Sequence, residues 1–373
     1  MQAVEWGEYE LQKLFYITGT KSLDSNAIEF TKEGVNFIGR TFDNNGIQGK
    51  IERRTFEPNE PNTITATVIG NYKYVKYQTE EYYCSQNINK LAPKAIFEKW
   101  NKKIAFFLIA NIQQFVSLYD GQQGGYKLED IKQHKIKLPI KNGKIDFGFM
   151  ESFIAELEAE QVAELSAYLT VSGFDNYELS NAELNALREY PNLEFAEFDI
   201  LDVFTVKNTS NLLSSDIVES SGKTPYLCAS SENNGVSSYI EYNKDYLEEG
   251  NCIFIGGKTF VVSYQENDFF SNDSHNLALY LNDSNRRTKL NQLYITTCVF
   301  KSLSHKYSWG NSVSKAKIKC DKISLPVKNG SPDFAIMKTF ISAIQKLVIR
   351  DVVDYTNLKI NATKKAISRV QIP

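Results

Sequence analysis

Cysteine and histidine are scarce in this sequence of 373 residues, which contains five of the first and three of the second. The cysteines are Cys84, Cys228, Cys252, Cys298 and Cys320. None has CxxC spacing, so we expect reduced, partly buried thiols rather than disulfides or a zinc site. Because His134, His275 and His305 lack a second histidine at helical spacing, no metal site is predicted.

Long apolar runs and an excess of basic residues are also missing. No stretch of about twenty apolar residues could span a membrane, and the start "MQAVEWGEYELQKLF" carries acids where a signal peptide has a basic head. We therefore expect a cytoplasmic protein. The net charge of −3 argues against a wholly basic surface that coats nucleic acid, although local basic faces stay possible.

Familiar catalytic motifs are not found either. The segment "GNCIFIGGKT" resembles a phosphate-binding loop, but Cys252 stands where the first glycine is required. The segment "SPDFAIMK" lacks the acid-x-lysine of a nuclease signature, and there is no NPPY-type or glycine-rich methyltransferase motif. The sequence thus predicts no catalytic site.

What the sequence does contain is an internal duplication. "LPIKNGKIDFGFMESFI" (138–154) returns as "LPVKNGSPDFAIMKTFI" (325–341), about 187 residues later. "EWGEYELQKLF" (5–15) matches "EFAEFDILDVF" (194–204), and "NFIGRTFDNNGIQGKIE" (36–52) matches "PYLCASSENNGVSSYIE" (225–241). "ITATVIGNYKYVKY" (64–77) matches "NCIFIGGKTFVVSY" (251–264). One ancestral unit used twice explains this pattern.

Each unit is expected to be α+β. Runs such as "ITATVIG" and "TFVVSYQ" are rich in β-branched and aromatic residues, and the Asn-Gly pairs indicate turns. Helical periodicity appears in "AIFEKWNKKIAFFLIANIQQF" and "TKLNQLYITTCVFKSL". Asp146 and Asp333 are predicted to cap the helices after the LP phrases, and Pro139 and Pro326 to end the preceding strands.

The two helices after the LP phrases carry apolar stripes that need a partner. We expect them to pack together as an antiparallel coiled coil, although each could instead fold onto its own domain. The expected seam residues are Met150, Ile154, Leu157, Leu165, Met337, Ile341, Ile344, Val348, Val352 and Tyr355. The first helix is acidic and the second ends basic, which could fix their orientation or serve a partner subunit. Between them, Ser180 with Glu183 predicts a capped short helix.

These paired starts, NNG turns, LP phrases and following helices resemble the specificity subunits of type I restriction-modification systems. Most closely they resemble the specificity subunit of the BcgI-like type IIB systems. The resemblance covers nearly the whole chain. It implies target-recognition domains at 1–143 and 194–330, a central spacer helix at 144–170, a connector at 171–193 and a C-terminal spacer helix at 331–373.

The resemblance further implies a non-catalytic protein that reads an asymmetric, bipartite target in double-stranded DNA. It would direct an adenine-N6 methyltransferase and restriction partner to that target. S-adenosylmethionine and Mg²⁺ would belong to the partner subunits, so no cofactor is expected on this chain. Two other hypotheses stay open: a tandem-domain scaffolding or binding protein with a coiled-coil dimerisation element, and a nuclease with an unrecognised site.

Candidate DNA contacts are Arg, Lys, Asn, Gln, Ser and Trp residues in the expected loops, since most of these side chains pair with base edges and phosphates. In the first unit they are Arg40, Asn44, Asn45, Lys50, Arg53, Arg54, Lys73, Gln122 and Gln123. In the second they are Lys223, Ser230, Asn233, Asn234, Lys258, Arg286, Arg287, Lys306, Trp309 and Asn311. For Asn45 and Asn234, turn formation alone could explain the residue type.

Overall fold

The computed structural model describes residues 4–370, except the side chains of residues 122, 123 and 365–370. The chain divides into two compact units. Unit 1 comprises the chain up to residue 165 together with the segment from 359 onward, and unit 2 comprises residues 166–358. Each unit mixes helices and strands, so the expected α+β class is confirmed.

The elements up to the first long helix follow the sequence order. They are β1 (Glu5–Glu10), α1 (Leu11–Leu14), β2 (Phe15–Gly19), β3 (Ser22–Leu23), β4 (Val35–Ile38), β5 (Ile47–Ile51), β6 (Thr63–Thr67), β7 (Ile69–Gly70), β8 (Val75–Gln78), β9 (Tyr82–Ser85), β10 (Ile88–Pro93), α2 (Lys102–Ser117), β11 (Gly121–Gly125), α3 (Leu128–Gln133), β12 (Lys135–Lys141), β13 (Lys144–Ile145) and α4 (Phe147–Val171).

Three main sheets build unit 1, with strand orders β2-β10-β6-β8, β3-β9-β4-β5 and β1-β12-β13, and β7 pairs with β11. Helix α2 packs on the first sheet because its apolar stripe faces it. Ile104, Leu108 and Ile112 of α2 share one buried cluster with Ile64 and Leu91 of the strands. Burial of such a stripe stabilises a helix of this length far more than its intrinsic propensity does.

The elements of the second repeat follow the same order. They are α5 (Asn181–Glu189), β14 (Phe195–Asp199), α6 (Ile200–Val203), β15 (Phe204–Asn208), β16 (Thr224–Leu227), β17 (Val236–Ile240), β18 (Cys252–Ile255), β19 (Val262–Gln265), β20 (Phe270–Ser271), β21 (Leu277–Leu281), α7 (Lys289–Leu303), α8 (Lys315–Ile318), β22 (Lys322–Lys328), β23 (Ser331–Pro332) and α9 (Phe334–Val370).

The sheets of unit 2 repeat those of unit 1 strand by strand. Their orders are β15-β21-β18-β19, β17-β16-β20 and β14-β22-β23. Helix α7 covers the first of them, since Ile295, Val299 and Leu303 lie in one buried cluster with Ile253 and Leu279. Two tandem similar domains are therefore confirmed.

The repeated LP phrase forms the same junction in both units. Asn142 and Gly143 have φ of 53° and 75°, and Asn329 and Gly330 have 54° and 78°, which is the geometry of a tight two-residue hairpin turn. Asparagine and glycine tolerate this left-handed backbone, so the "KNG" sequence selects the turn. The phrase thus closes β12 on β13 and β22 on β23.

Aspartates then cap the long helices, as predicted. The Asp146 carboxylate accepts a hydrogen bond from the Phe149 amide at 2.9 Å, and Asp333 accepts one from the Ile336 amide at 3.0 Å. The prediction for the prolines is wrong. Pro139 and Pro326 lie within strands, opposite Trp6 and Phe195, and their carbonyls accept the amides of the capping aspartates. A proline is tolerated there because it gives up only its own donor.

The first turns of the long helices belong to the domain cores. Met150 and Ile154 are buried in the core of unit 1, and Met337 is buried in the core of unit 2. Ile341 packs against that second core. These residues were expected in a helix–helix seam, and the structure corrects that assignment because they pack against their own domains.

Further along the same helices, apolar residues are only partly covered. Leu165 and Ile344 are half-buried, whereas Leu157, Val348, Val352 and Tyr355 are exposed. The antiparallel coiled coil that these six residues were expected to form stays a prediction.

Helix α5 is anchored on α9 within unit 2. Ser180 and Glu183 form the predicted capping box, and Glu183 also accepts hydrogen bonds from Ser342 at 2.6 Å and Lys346 at 2.9 Å. Burial raises the pKa of Glu183, but these hydrogen bonds outweigh burial and lower it to about 2. The charged carboxylate thus fixes the connector helix to the long helix.

Candidate nucleic-acid interface

Three loops meet at one end of unit 1. They are residues 39–46, 68–74 and 118–126, here called the first loop cluster. The Arg40 guanidinium donates to the Ile69 carbonyl at 3.4 Å, and the Gly121 amide donates to the Asn71 carbonyl at 2.8 Å. These bonds hold together loops that are up to about eighty residues apart in the sequence.

Unit 2 repeats this arrangement with residues 228–235, 256–261 and 304–313, the second loop cluster. The Thr259 hydroxyl donates to the Ala229 carbonyl at 3.0 Å. The Val313 amide donates to the Gly257 carbonyl at 3.0 Å. The duplicated fold therefore presents one equivalent loop cluster on each unit.

The NNG turns are the fixed part of each cluster. Asn44 and Asn45 have φ of 45° and 55°. The Asn45 side-chain amide donates to the Tyr77 carbonyl at 2.8 Å, and the Asn44 amide donates to the Ile47 carbonyl at 3.1 Å. Asparagine is favoured here because it tolerates positive φ and bonds to the backbone.

Unit 2 reproduces these bonds. Asn233 and Asn234 have φ of 46° and 52°, and their amides donate to the Val236 and Tyr264 carbonyls at 2.9 and 3.0 Å. The turn-forming role expected for Asn45 and Asn234 is confirmed. Since all four amide groups already bond within the protein, contacts of these side chains with DNA stay a prediction.

Aromatic side chains that the sequence reasoning did not select project from the first loop cluster. Phe42 is 65% exposed and Tyr72 is 66% exposed. The Phe42 ring packs against Tyr74 with centroids 5.6 Å apart, and the Lys76 ammonium lies 4.4 Å from the Phe42 centroid. One signal in the sequence could have identified Phe42: its equivalent beside the second NNG turn is Ser231.

The second loop cluster has a different set of side chains. Trp309 is 76% exposed. The Lys258 ammonium lies 3.1 Å from the Asp273 carboxylate, which also contacts the His275 ring at 2.7 Å. Burial raises the pKa of Asp273, but hydrogen bonds from His275 and Lys258 outweigh it, so the pKa is lowered and the aspartate stays ionised.

The remaining predicted residues of this cluster are polar. Ser230 is exposed and accepts a hydrogen bond from the Glu232 amide at 3.1 Å. Asn311 donates to the Lys306 carbonyl at 2.7 Å and accepts from Lys317 at 2.8 Å. The Lys306 ammonium lies 3.0 Å from Asp321. These side chains share one surface, so the structure brings this part of the prediction together.

Other predicted residues lie away from the loop clusters. Arg53 and Arg54 follow β5, at the end of the β4–β5 hairpin opposite to its NNG turn, and Lys50 lies within that strand. Lys223 precedes β16 at the corresponding end in unit 2. Arg53 pairs with Glu81 and lies 3.5 Å from Glu57. The four basic side chains thus do not join the Asn turns in one site.

Lys73 is a correction. It was expected to present its ammonium group on a loop, but the residue is only 1% exposed. Its ammonium donates to the carbonyls of Gly70, at 3.2 Å, and Tyr119, and its amide donates to Asp120 at 2.8 Å. A buried ammonium with these partners ties two loops together and cannot reach a phosphate.

Arg287 is a second correction. Its guanidinium donates to Glu249 at 2.7 Å and to the carbonyls of Asn251, at 2.7 Å, and Gly250, at 2.8 Å. The same group lies 5.0 Å from the centroid of the Tyr280 ring. All its polar contacts therefore serve the fold, whereas the prediction required a free guanidinium.

Arg286 keeps an exposed side chain but lies near the start of α9. Its guanidinium is 5.9 Å from the Phe334 ring centroid and its Nε is 3.9 Å from Asp283. It does not belong to the second loop cluster. The side chains of Gln122 and Gln123, at the centre of β11, lie outside the described residues.

Within the described part of the chain, no three His, Cys, Asp or Glu side chains are grouped so that they could hold a metal ion. Among the described residues, no helix combines the length and apolar character needed to cross a membrane.

Comparison with known families decides the class of this duplicated fold. The model of the type I restriction modification DNA specificity domain matches residues 3–167 and again residues 192–354. The chain belongs to this family. Each match covers one loop cluster and its LP phrase, so both repeats are specificity domains.

Relatives outside the family model agree along nearly the full length. The chain is 21% identical over 351 residues to a type II restriction enzyme specificity subunit, that of BcgI from Heyndrickxia coagulans. The match covers 93% of this chain and 96% of the relative. The fold is also similar to the crystal structure of the S subunit of a type I restriction-modification system from M. genitalium, with a TM-score of 0.57 and 15% identity. That match covers 98% of this chain and 95% of the other.

As a member of this family, the chain is a DNA-recognition protein of a restriction-modification system and not itself the enzyme. The first two residues of the conserved NNG turns hold the scaffold, and the neighbouring positions differ between the two specificity domains. The structure thus separates residues that build the loop clusters from residues that distinguish them.

Proposed function

We propose that the chain reads an asymmetric, bipartite target in duplex DNA, with the loop cluster of each unit reading one half-site. The observation that supports this is the difference between two clusters on one scaffold. Arg40 and Phe42 of unit 1 correspond to Ala229 and Ser231 of unit 2. Domains that share a backbone but differ at exposed loop positions suit two different half-sites.

Arg40 is the first candidate for a DNA contact in unit 1. It is exposed, and its printed bond to the Ile69 carbonyl is long, at 3.4 Å. A guanidinium in this situation can exchange that bond for a phosphate or for the O6 and N7 acceptors of guanine. In unit 2, Trp309 and Lys258 take the corresponding roles of an apolar and a charged contact.

We also propose that α4 and α9 carry the docking surface for an adenine-N6 methyltransferase and restriction partner. Leu157, Val348 and Val352 are exposed apolar side chains on these helices, and exposed apolar stripes on helices are typical of interfaces. S-adenosylmethionine and Mg²⁺ would then be bound by the partner. Since such a complex acts on genomic DNA, we propose that the chain works in the cytoplasm.

Methylome sequencing tests this function. The chain is produced together with the modification subunit of its system in a host without adenine methylation, and every methylated adenine is mapped. The expected result is one motif with two specified parts and an unspecified spacer. Methylation without a motif, or a motif in one continuous block, would contradict the proposal.

Exchanging loops gives a sharper form of the same experiment. Residues 39–42 are replaced by the sequence of residues 228–231, which leaves both NNG turns and all three asparagine-to-backbone bonds of that region in place. The matched control is the reverse exchange in unit 2. Each exchange is expected to change one half of the motif and to leave the other half as it was.

A further inference from the structure

Phe42, Tyr74 and Lys76 form a small aromatic and cationic cluster beside the first NNG turn. Tyr74 packs against the Phe42 ring with an interplanar angle of 57°, and the Lys76 ammonium lies 4.4 Å from the Phe42 centroid and 5.7 Å from the Tyr74 centroid. The contacts of the ring with Tyr74 and Lys76 leave Phe42 65% exposed. The phenyl ring is therefore held in position and still open to solvent.

The position of the ring is also fixed through the backbone. Phe42 immediately precedes the turn of residues 43–46, whose Asn45 is bonded to the Tyr77 carbonyl on β8. Tyr74 and Lys76 lie at the start of that same strand region. A side chain that must be presented at a defined place needs such support from rigid elements.

Unit 2 keeps the turn and lacks the cluster. The residues equivalent to Phe42, Tyr74 and Lys76 are Ser231, Val261 and Ser263. The bond of the turn asparagine to the strand is nonetheless retained in unit 2, between Asn234 and Tyr264. The aromatic cluster is thus not required to build the turn, and it distinguishes the surface of unit 1 from that of unit 2.

We propose that Phe42 is a specificity-determining residue, which makes an apolar contact with the bases of one half-site. Exposed phenyl rings contact thymine methyl groups in the major groove or enter between base steps, and both contacts depend on the sequence. Lys76 holds the ring and neutralises a neighbouring phosphate. The proposal rests on the proposed function, since it requires that the first loop cluster faces DNA.

The test compares the methylated motifs of complexes that contain the wild-type chain, Phe42→Ala or Ser231→Ala, each with the modification subunit. Phe42→Ala is expected to lose the preference at one or two adjacent positions of one half-site, with discrimination there falling by about tenfold. All other positions should keep their preference. Ser231→Ala, at the equivalent place, should leave that half-site unchanged.

Two further variants separate reading from packing. Phe42→Leu keeps an apolar side chain and should restore part of the lost preference. Lys76→Met keeps the packing against the ring without the charge, so it should weaken methylation of all sites alike and lower the salt dependence of DNA binding by about one phosphate contact.

Each outcome has a defined meaning. An unchanged motif with Phe42→Ala would overturn the role of Phe42, as would a uniform loss of methylation that Phe42→Leu does not restore. If the wild-type complex itself produces no bipartite motif, the proposed function fails instead. A thermal melt of each purified chain shows whether a variant is folded, and no change is expected because Phe42 is exposed.

Discussion

The side-chain amide of Asn45 donates to the backbone carbonyl of Tyr77 at 2.8 Å. In the second repeat Asn234 makes the same bond with Tyr264, at 3.0 Å. In return, the side-chain amides of Gln78 and Gln265 donate to the backbone carbonyls of the two asparagines. This reciprocal pair fixes each NNG turn to the neighbouring sheet, so the turn serves as scaffold for the loops around it.

Replacing Asn45 should therefore reduce stability before it affects recognition. Asn45→Ala removes a partly buried hydrogen bond and places a Cβ-bearing residue at φ of 55° without the stabilising side chain. We expect the free energy of unfolding to fall by about 1–3 kcal/mol. Asn45→Gly should lose less, since glycine adopts this backbone freely. Urea denaturation of the full chain measures both, and equal losses would show that the backbone conformation contributes nothing.

The buried lysine makes a prediction about DNA binding that opposes the one for Arg40. Lys73→Met leaves the carbonyls of Gly70 and Tyr119 without their donor, so stability should fall by about 1–3 kcal/mol. The dependence of DNA affinity on salt concentration should stay the same. Arg40→Met should instead lower the slope of log affinity against log salt by about one. DNA titrations at several salt concentrations decide this, and an altered slope with Lys73→Met would contradict the buried placement.

The contact of Glu183 with Ser342 and Lys346 predicts a dependence of stability on pH. The pKa of Glu183 is lowered to about 2 in the folded chain, against about 4.3 in an unfolded one. The folded state thus gains stability from the ionised carboxylate, fully above pH 4.5, and loses it as the pH falls toward 2. Denaturation of wild type and Glu183→Gln between pH 7 and pH 3 measures this.

Glu183→Gln is expected to be less stable at pH 7, with a difference from wild type that shrinks as the pH falls. Lys346→Met is the matched control, since it removes one donor and keeps the carboxylate. It should raise the pKa of Glu183 without returning it fully to the ordinary value. A difference between wild type and Glu183→Gln that stays constant with pH would show that the charge is not what anchors α5.

Local patterns in the sequence predicted much of the fold because their physics is local. The Asn-Gly turns, the Asp146 and Asp333 caps and the Ser180–Glu183 capping box all depend on residues within four positions of each other. Long-range contacts could not be foreseen in the same way. Lys73 is buried because Tyr119 supplies a carbonyl from a loop 46 residues away, and Arg287 is engaged because Glu249 to Asn251 surround it.

The candidate site was predictable only in part. Sequence reasoning selected charged and amide side chains, so it missed Phe42, whose exposure follows from tertiary structure. Pro139 was expected to end a strand, but it lies within β12 opposite Trp6. In both cases the comparison of the two repeats carried more information than the residue type, because the shared residues mark the scaffold and the different residues mark the surface.

Trp309 gives the last prediction, for the second loop cluster. The residue is 76% exposed, so Trp309→Ala should change the free energy of unfolding by less than about 0.5 kcal/mol. A large exposed aromatic side chain at an interface with DNA contributes about 1–3 kcal/mol, so recognition of one half-site should weaken by roughly tenfold or more. Phe42→Ala should affect the other half-site, and the double variant should show additive losses because the two residues read separate half-sites. Tyr239→Ala, an exposed aromatic substitution on β17, is the control that should leave both half-sites unchanged. If Trp309→Ala and Phe42→Ala instead weaken the same positions of the motif, the assignment of one half-site to each loop cluster is wrong.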